Sequence, residues 1–128
     1  LEPTSPLRTS NHVKRAMDKM SEGSFKSVVS VCPIERKPEN IFVKNQVLKK
    51  YIKDPDEFFL KRQQMLHLCR INSAIYIFKR DDFFEMNKLV IDPTGFIEMD
   101  LEESINIDTE IDLKLANYFS KKNKLYKL

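Results

Sequence analysis

Ser27-Val-Val-Ser-Val-Cys32 is the stretch whose reading decides the fold. It is β-branched and nearly continuous in apolarity, broken only by small hydroxyls. A strand with one wet face alternates polar and apolar residues, whereas a strand covered on both faces does not. The stretch therefore reads as a buried central strand. Asn72-Ser-Ala-Ile-Tyr-Ile-Phe78 is a second run of the same kind.

Helical patterns surround these two strands. Ser10 is the expected cap of a helix in which Val13, Ala16, Met17 and Met20 form one apolar stripe, and Ser21-Glu-Gly23 ends it. Arg80-Asp-Asp-Phe-Phe-Glu85 reads as a short helix with an acidic first turn. Asp92-Pro-Thr-Gly95 is a turn before a strand at about Phe96–Met99. A last helix runs from about Thr109 to Lys121, with Ile111, Leu113, Leu115, Ala116 and Phe119 as its apolar residues. Strands alternating with helices, the strands nearly all apolar, indicate an α/β domain with a largely parallel sheet. Residues 33–62 break that rhythm. They carry three prolines, many lysines and two short apolar runs, Ile41-Phe-Val43 and Val47-Leu48, with Asn45-Gln46 as a candidate hairpin turn. This segment reads as an excursion from the main sheet.

Composition narrows the possible functions. The 128 residues fit one domain or part of one, and 41% hydrophobic content with nine phenylalanines can build a core. A net charge of +3 does not mark a nucleic-acid binder, and the basic end KKNKLYK suits the negative pole of a helix dipole. Cys32 and Cys69 form neither a disulfide framework nor a metal pattern, and both are expected to be reduced core thiols of a cytoplasmic protein. No apolar run reaches the roughly 18 residues of a membrane span, so no membrane partner is expected. Gly23 and Gly95 are the only glycines, too few for a Gly-rich phosphate loop.

The chemistry is concentrated in Ser104-Ile-Asn-Ile-Asp-Thr-Glu-Ile-Asp-Leu113. Alternation predicts Ile105 and Ile107 in a core, with Asn106 and Asp108 together on the other face. Two readings fit: oxygen ligands for a hard metal ion, or the start of a helix with Thr109 and Asp112 as a capping box. Glu110 and Asp112 belong to the helix start on either reading.

Five segments in order, Leu1-Glu-Pro-Thr-Ser-Pro-Leu-Arg8, Ser27–Pro33, Lys61-Arg-Gln-Gln64, Arg70-Ile-Asn-Ser-Ala-Ile-Tyr76 and the stretch above, resemble the acylneuraminate cytidylyltransferases. The resemblance runs from Leu1 to about the end of the last helix and covers roughly the second half of a usual family member. It implies a Rossmann-like nucleotidyltransferase fold, with helices on both faces of a mostly parallel sheet. It also implies that residues 1–128 form the C-terminal part of one domain, lacking the N-terminal half and its CTP phosphate loop, with residues 33–62 as a protruding dimerisation arm. The implied reaction joins CTP and a nine-carbon sugar acid into a CMP-sugar, releasing pyrophosphate, in a Mg²⁺-dependent homodimer. A half sheet exposes an edge, so the isolated chain is expected to associate with itself or with the missing half.

The resemblance also assigns roles. Asn106 and Asp108 match the two aspartates of the family's metal motif, so Asp108 would be a catalytic metal ligand and Asn106 an uncharged one. Arg70 and Asn72 match the sugar-binding Arg and Asn, with Arg70 counted as catalytic. Arg62 matches a second Arg on the arm. Arg8 keeps the family's turn Arg, to bind phosphate or to brace the turn. Glu2 stands where the family has a sugar-contacting Gln, and its carboxylate would repel the sugar's own. Asn40 falls near a family Lys, and Ser73 replaces a Gly. His12 and His67 are expected to be ordinary surface or core histidines. Because Glu2, Asn40 and Asn106 all depart from the pattern, two alternatives stand beside the enzyme. One is a catalytically impaired homologue retained for dimer contacts. The other is a synthetase for legionaminic or pseudaminic acid.

Overall fold

A computed structural model describes residues 1–34, 42–44, 46–50 and 68–122. The chain divides into two compact units, Leu1–Cys32 with Arg70–Leu128, and Pro33–Cys69. Arg62, Asn40 and His67 lie outside the described residues.

In the first unit α1 (Ser10–Ser21) opens the chain's regular structure. Its N-cap is Thr9, one residue before the expected Ser10, because the Thr9 side chain accepts from the His12 backbone while His12 answers to the Thr9 backbone. Gly23, at φ 79°, terminates it just after the Glu22 cap. Strand β1 (Ser27–Pro33) follows and is buried over its first six residues, as its unbroken apolarity required. In the second unit β2 (Phe42–Lys44) and β3 (Leu48–Lys50) pair antiparallel, Lys44 opposite Leu48.

The first unit continues with β4 (Cys69–Phe78), of which Cys69 belongs to the second, and with α2 (Arg80–Met86) and β5 (Thr94–Glu98). A single 3-10 turn (Glu102–Ser104) and α3 (Glu110–Lys122) complete it.

The sheet order is β4-β1-β5, with the buried strand in the centre. β1 and β5 are parallel, Ser27 opposite Thr94 and Val31 opposite Glu98. β4 runs the other way. The Lys79 N–H donates to Lys26, while Ile75, four residues earlier, meets Ser30, four residues later. The sheet is therefore mixed, and the expectation of a largely parallel sheet holds for β1 and β5 only. The core gathers Ala16 of α1 with Val28, Ala74, Ile75, Ile97 and Met99, and Val13, Met20 and Phe25 pack against it. Burying these aliphatic side chains contributes about 1.5–3 kcal/mol each for the larger ones.

Burial differs from a simple reading of the apolar runs at one cysteine and along α3. Cys69 is exposed and only Cys32 is a core thiol, because β4 begins before its buried residues do. In α3 only Ala116 is buried, and Ile111, Leu113 and Leu115 face outward at 68%, 48% and 43% exposure. Among the described residues no helix is long and apolar enough to cross a membrane.

Candidate functional site

The opening turn, the start of β4 and the segment after the 3-10 turn meet in one place. The turn at Leu1–Arg8 folds on itself when the Ser5 N–H donates to Glu2 O at 3.3 Å. Arg8 then reaches through the turn. Its Nη1 donates to Glu2 O at 3.0 Å and to Ala74 O at 2.8 Å, fixing the turn to β4. Of the two readings of Arg8, these contacts are the brace. The Ile107 N–H donates to Thr4 O at 2.8 Å, and the Ser5 hydroxyl donates to Asn106 Oδ1. Ser5 is 1% exposed, so this bond is sheltered.

These contacts change the geometry expected of residues 104–108. The segment is not a strand, and Ile105, Asn106 and Ile107 are all half-buried. Asn106 and Asp108 differ in burial: the Ser5 hydroxyl holds the half-buried Asn106 against the opening turn, while Asp108 is exposed. Backbone pairing to Thr4 and a side-chain bond to Ser5 override simple alternation.

Asn72 was expected at the entrance of a strand. It lies three residues inside β4 and is 2% exposed. Its Oδ1 accepts from the Ser30 hydroxyl and from the Ala74 N–H at 3.2 Å. Its Nδ2 donates to Ser104 Oγ at 2.8 Å and to Met99 Sδ at 3.5 Å. An asparagine amide offers two acceptor and two donor positions, and all four are taken. Asn72 thus ties β4, β1 and the 3-10 turn together. Ser104 passes the chain on, donating to Asp100 O at 2.7 Å. Ser30 and Ser104 are silent in the sequence, since a lone serine in an apolar run or an acidic turn has no signature. A buried asparagine needs four partners, and that need identifies them only once its position is known.

Arg70, the second residue of β4, is exposed, as is Glu2. Ser73 has φ 62°, a conformation that favours glycine. Its hydroxyl accepts from Tyr76 Oη at 3.1 Å.

The helix-start reading of residues 108–112 is realised. Asp112 Oδ2 accepts from the Thr109 N–H and hydroxyl, each at 2.7 Å, and from the Asp108 N–H at 3.2 Å. The Asp112 N–H donates in return to Thr109 Oγ1 at 3.3 Å. The Thr109 side-chain bond, then its backbone bond, hold the Asp112 carboxyl below its ordinary value of 3.8. The cap leaves the Asp108 carboxylate outside this set of bonds. Among the described residues no three His, Cys, Asp or Glu side chains gather into a metal cage. The donor set fits Mg²⁺ all the same, since that ion usually takes one or two carboxylates and fills its octahedron with water and phosphate oxygens. Asp108 supplies the charge, and Asn106 Oδ1 keeps one lone pair beyond the one Ser5 engages.

No protein-family model matches the chain. Individual relatives do. It is 32% identical over 91 residues to the CMP-N,N'-diacetyllegionaminic acid synthase of Campylobacter jejuni, covering 71% of this chain and 38% of that protein. It is 30% identical over 115 residues to an N-acylneuraminate cytidylyltransferase of Streptococcus agalactiae, covering 88% and 27%. The chain belongs to the acylneuraminate cytidylyltransferase family. A further relative, post-translational flagellin modification protein B of Campylobacter coli, is 26% identical over 125 residues, 98% of the chain and 53% of that protein. The chain thus spans about half or less of the length of these curated relatives.

Proposed function

We propose that this chain supplies the sugar-acid and metal side of a cytidylyltransferase that joins CTP to a nonulosonic acid, releasing pyrophosphate. The observation that carries the reading is the meeting of three separated segments at the Ser5–Asn106 and Arg8–Ala74 bonds. Each segment resembles a family motif, and the relatives' names supply the reaction class.

In this reading the exposed Asp108 and the neutral Asn106 Oδ1 would hold Mg²⁺, which would supply positive charge against the negative charge of the α-phosphate. Arg70, exposed at the start of β4, pairs with the sugar carboxylate, for which a guanidinium is the best planar partner. Glu2 stands near the sugar and favours an acid whose carboxylate lies away from it. Asn72 serves from beneath, by holding β4 and the 3-10 turn in register. The CTP phosphates are held by a glycine-rich loop outside these 128 residues, and the working unit is a homodimer in the cytoplasm.

The test is complementation. The chain is incubated with CTP, Mg²⁺ and either N-acetylneuraminate or a legionaminic-type acid, alone and with the phosphate-loop half of a relative in trans. Pyrophosphate should appear only in the mixture, and Asp108→Ala should abolish it. Release by the chain alone would overturn the division of labour. Silence in the mixture, with both halves folded and associated, would favour the second reading: an impaired homologue kept as an interaction module. The neutral Asn106 at a metal position is what motivates that second reading.

A further inference from the structure

His12 carries no role in the reading above, yet its surroundings are specific. It is 5% exposed on the first turn of α1. The Thr9 backbone N–H donates to its Nδ1 at 3.1 Å. Nδ1 must therefore be unprotonated, and the ring proton sits on Nε2. Nε2 lies 3.3 Å from Glu103 Oε2, at the middle of the 3-10 turn. The Glu103 carboxylate also accepts from the Asp100 N–H at 3.4 Å, so it belongs to the turn's own bonding.

These contacts form a ladder. The opening segment and the segment at 103–107 pass each other in opposite senses. They are joined at Thr4–Ile107, at Ser5–Asn106 and at His12–Glu103. Glu103 lies three residues before Asn106, and Ser104 between them is fixed to Asn72. The entry of the chain into residues 105–108 is thus pinned from α1 as well as from β4.

We propose that His12 is a positioning residue: as the Nε2–H tautomer it locks α1 to Glu103 and so sets where Asn106 and Asp108 stand. This rests on reading residues 106–108 as the metal-bearing segment. The Thr9–His12 cap and the His12–Glu103 lock are separable. Gln is a natural capping-box partner at the third helical position, so His12→Gln keeps the cap and loses the lock. Glu103→Ala removes the lock without touching the cap.

The experiment uses the whole chain labelled with ¹⁵N. The wild-type ring should show an unprotonated Nδ1 and a protonated Nε2. Both variants should move the Asn106 side-chain amide and the Ile107 and Asp108 backbone signals, while α1 amides beyond the first turn stay in place. Titration with Mg²⁺, followed at Asp108, should need roughly tenfold more ion in either variant. An Nδ1–H tautomer, or unmoved signals at residues 106–108 in both variants, would overturn the proposal. Moved signals with no Mg²⁺ response in the wild type would leave the lock standing and sink the metal reading instead.

Discussion

The Ser5 hydroxyl donates to Asn106 Oδ1, joining positions 101 residues apart at the point where the opening turn meets the segment before α3. An amide oxygen and a carboxylate oxygen accept such a bond equally well, so the fold does not require the amide. The charge at position 106 is therefore a free choice with respect to architecture.

Asn106→Asp should leave the melting temperature nearly unchanged and strengthen Mg²⁺ binding, because a second carboxylate joins Asp108. Isothermal titration with MgCl₂ reads the difference, expected at tenfold or more. Ser5→Ala is the control. It strips a sheltered acceptor of its donor and should cost about 1 kcal/mol by urea unfolding.

Asn72 should be the most sensitive polar position in the first unit. Asn72→Ala leaves the Ala74 N–H and the Ser30 and Ser104 hydroxyls without this partner and opens a gap beside Met99. Buried unsatisfied groups cost about 1–3 kcal/mol each, partly relieved by relaxation. A loss of about 3 kcal/mol is expected in urea. A loss below about 1 kcal/mol would show that the network does not fix the strands.

Ser73→Gly should stabilise. A left-handed residue with a Cβ costs roughly 1–2 kcal/mol, of which the greater freedom of glycine in the unfolded chain takes back about half. The bond from Tyr76 is also lost. The net gain expected from thermal unfolding is up to about 1 kcal/mol, whereas Ser73→Val should destabilise sharply.

The cap of α3 should fail in acid. Hydrogen bonds from Thr109 lower the Asp112 carboxyl from 3.8. A depressed folded pKa means that the contribution is fully present above the unfolded value and is lost as pH falls through the folded one. Fraying of α3 should therefore begin below about pH 4. Backbone amide shifts at Thr109 and Asp112, followed from pH 6 to pH 2, report it. In Asp112→Asn the same signals should be flat across that range.

Gly95 tests the packing of the edge strand against Phe25, which lies between α1 and β1. A Cβ there would meet the Phe25 ring at 2.8 Å, inside contact distance. Gly95→Ala should cost about 1–3 kcal/mol as the ring is displaced. Gly23→Ala, which meets nothing within 4 Å, would show the backbone cost alone.

Much of the architecture was legible from local pattern. The unbroken Ser27–Cys32 run announced a strand buried on both faces, and the cap of α3 was visible as Thr109 and Asp112 at the right spacing. The family resemblance marks Ser73 as standing in glycine's place, and its φ of 62° is the conformation that favours glycine. The His12 cap was missed because a histidine at the third helical position lacks the usual Glu or Gln signature. The bare faces of Ile111, Leu113 and Leu115 were missed because an apolar stripe says that a helix can bury a face, not that something covers it.

The sequence by itself determined the elements, because helix and strand periods, caps and turns depend on neighbours within about four positions. It also determined the family, because spaced motifs need no coordinates. Only the tertiary structure decided that β4 runs against β1, that Asn72 is a strut with every polar position filled, and that Asn106 leans on Ser5 while Asp108 stays in water. Those outcomes depend on which distant groups reach one another. A buried amide takes whatever donors and acceptors the packed chain brings to it, and no local pattern encodes a partner 101 residues away.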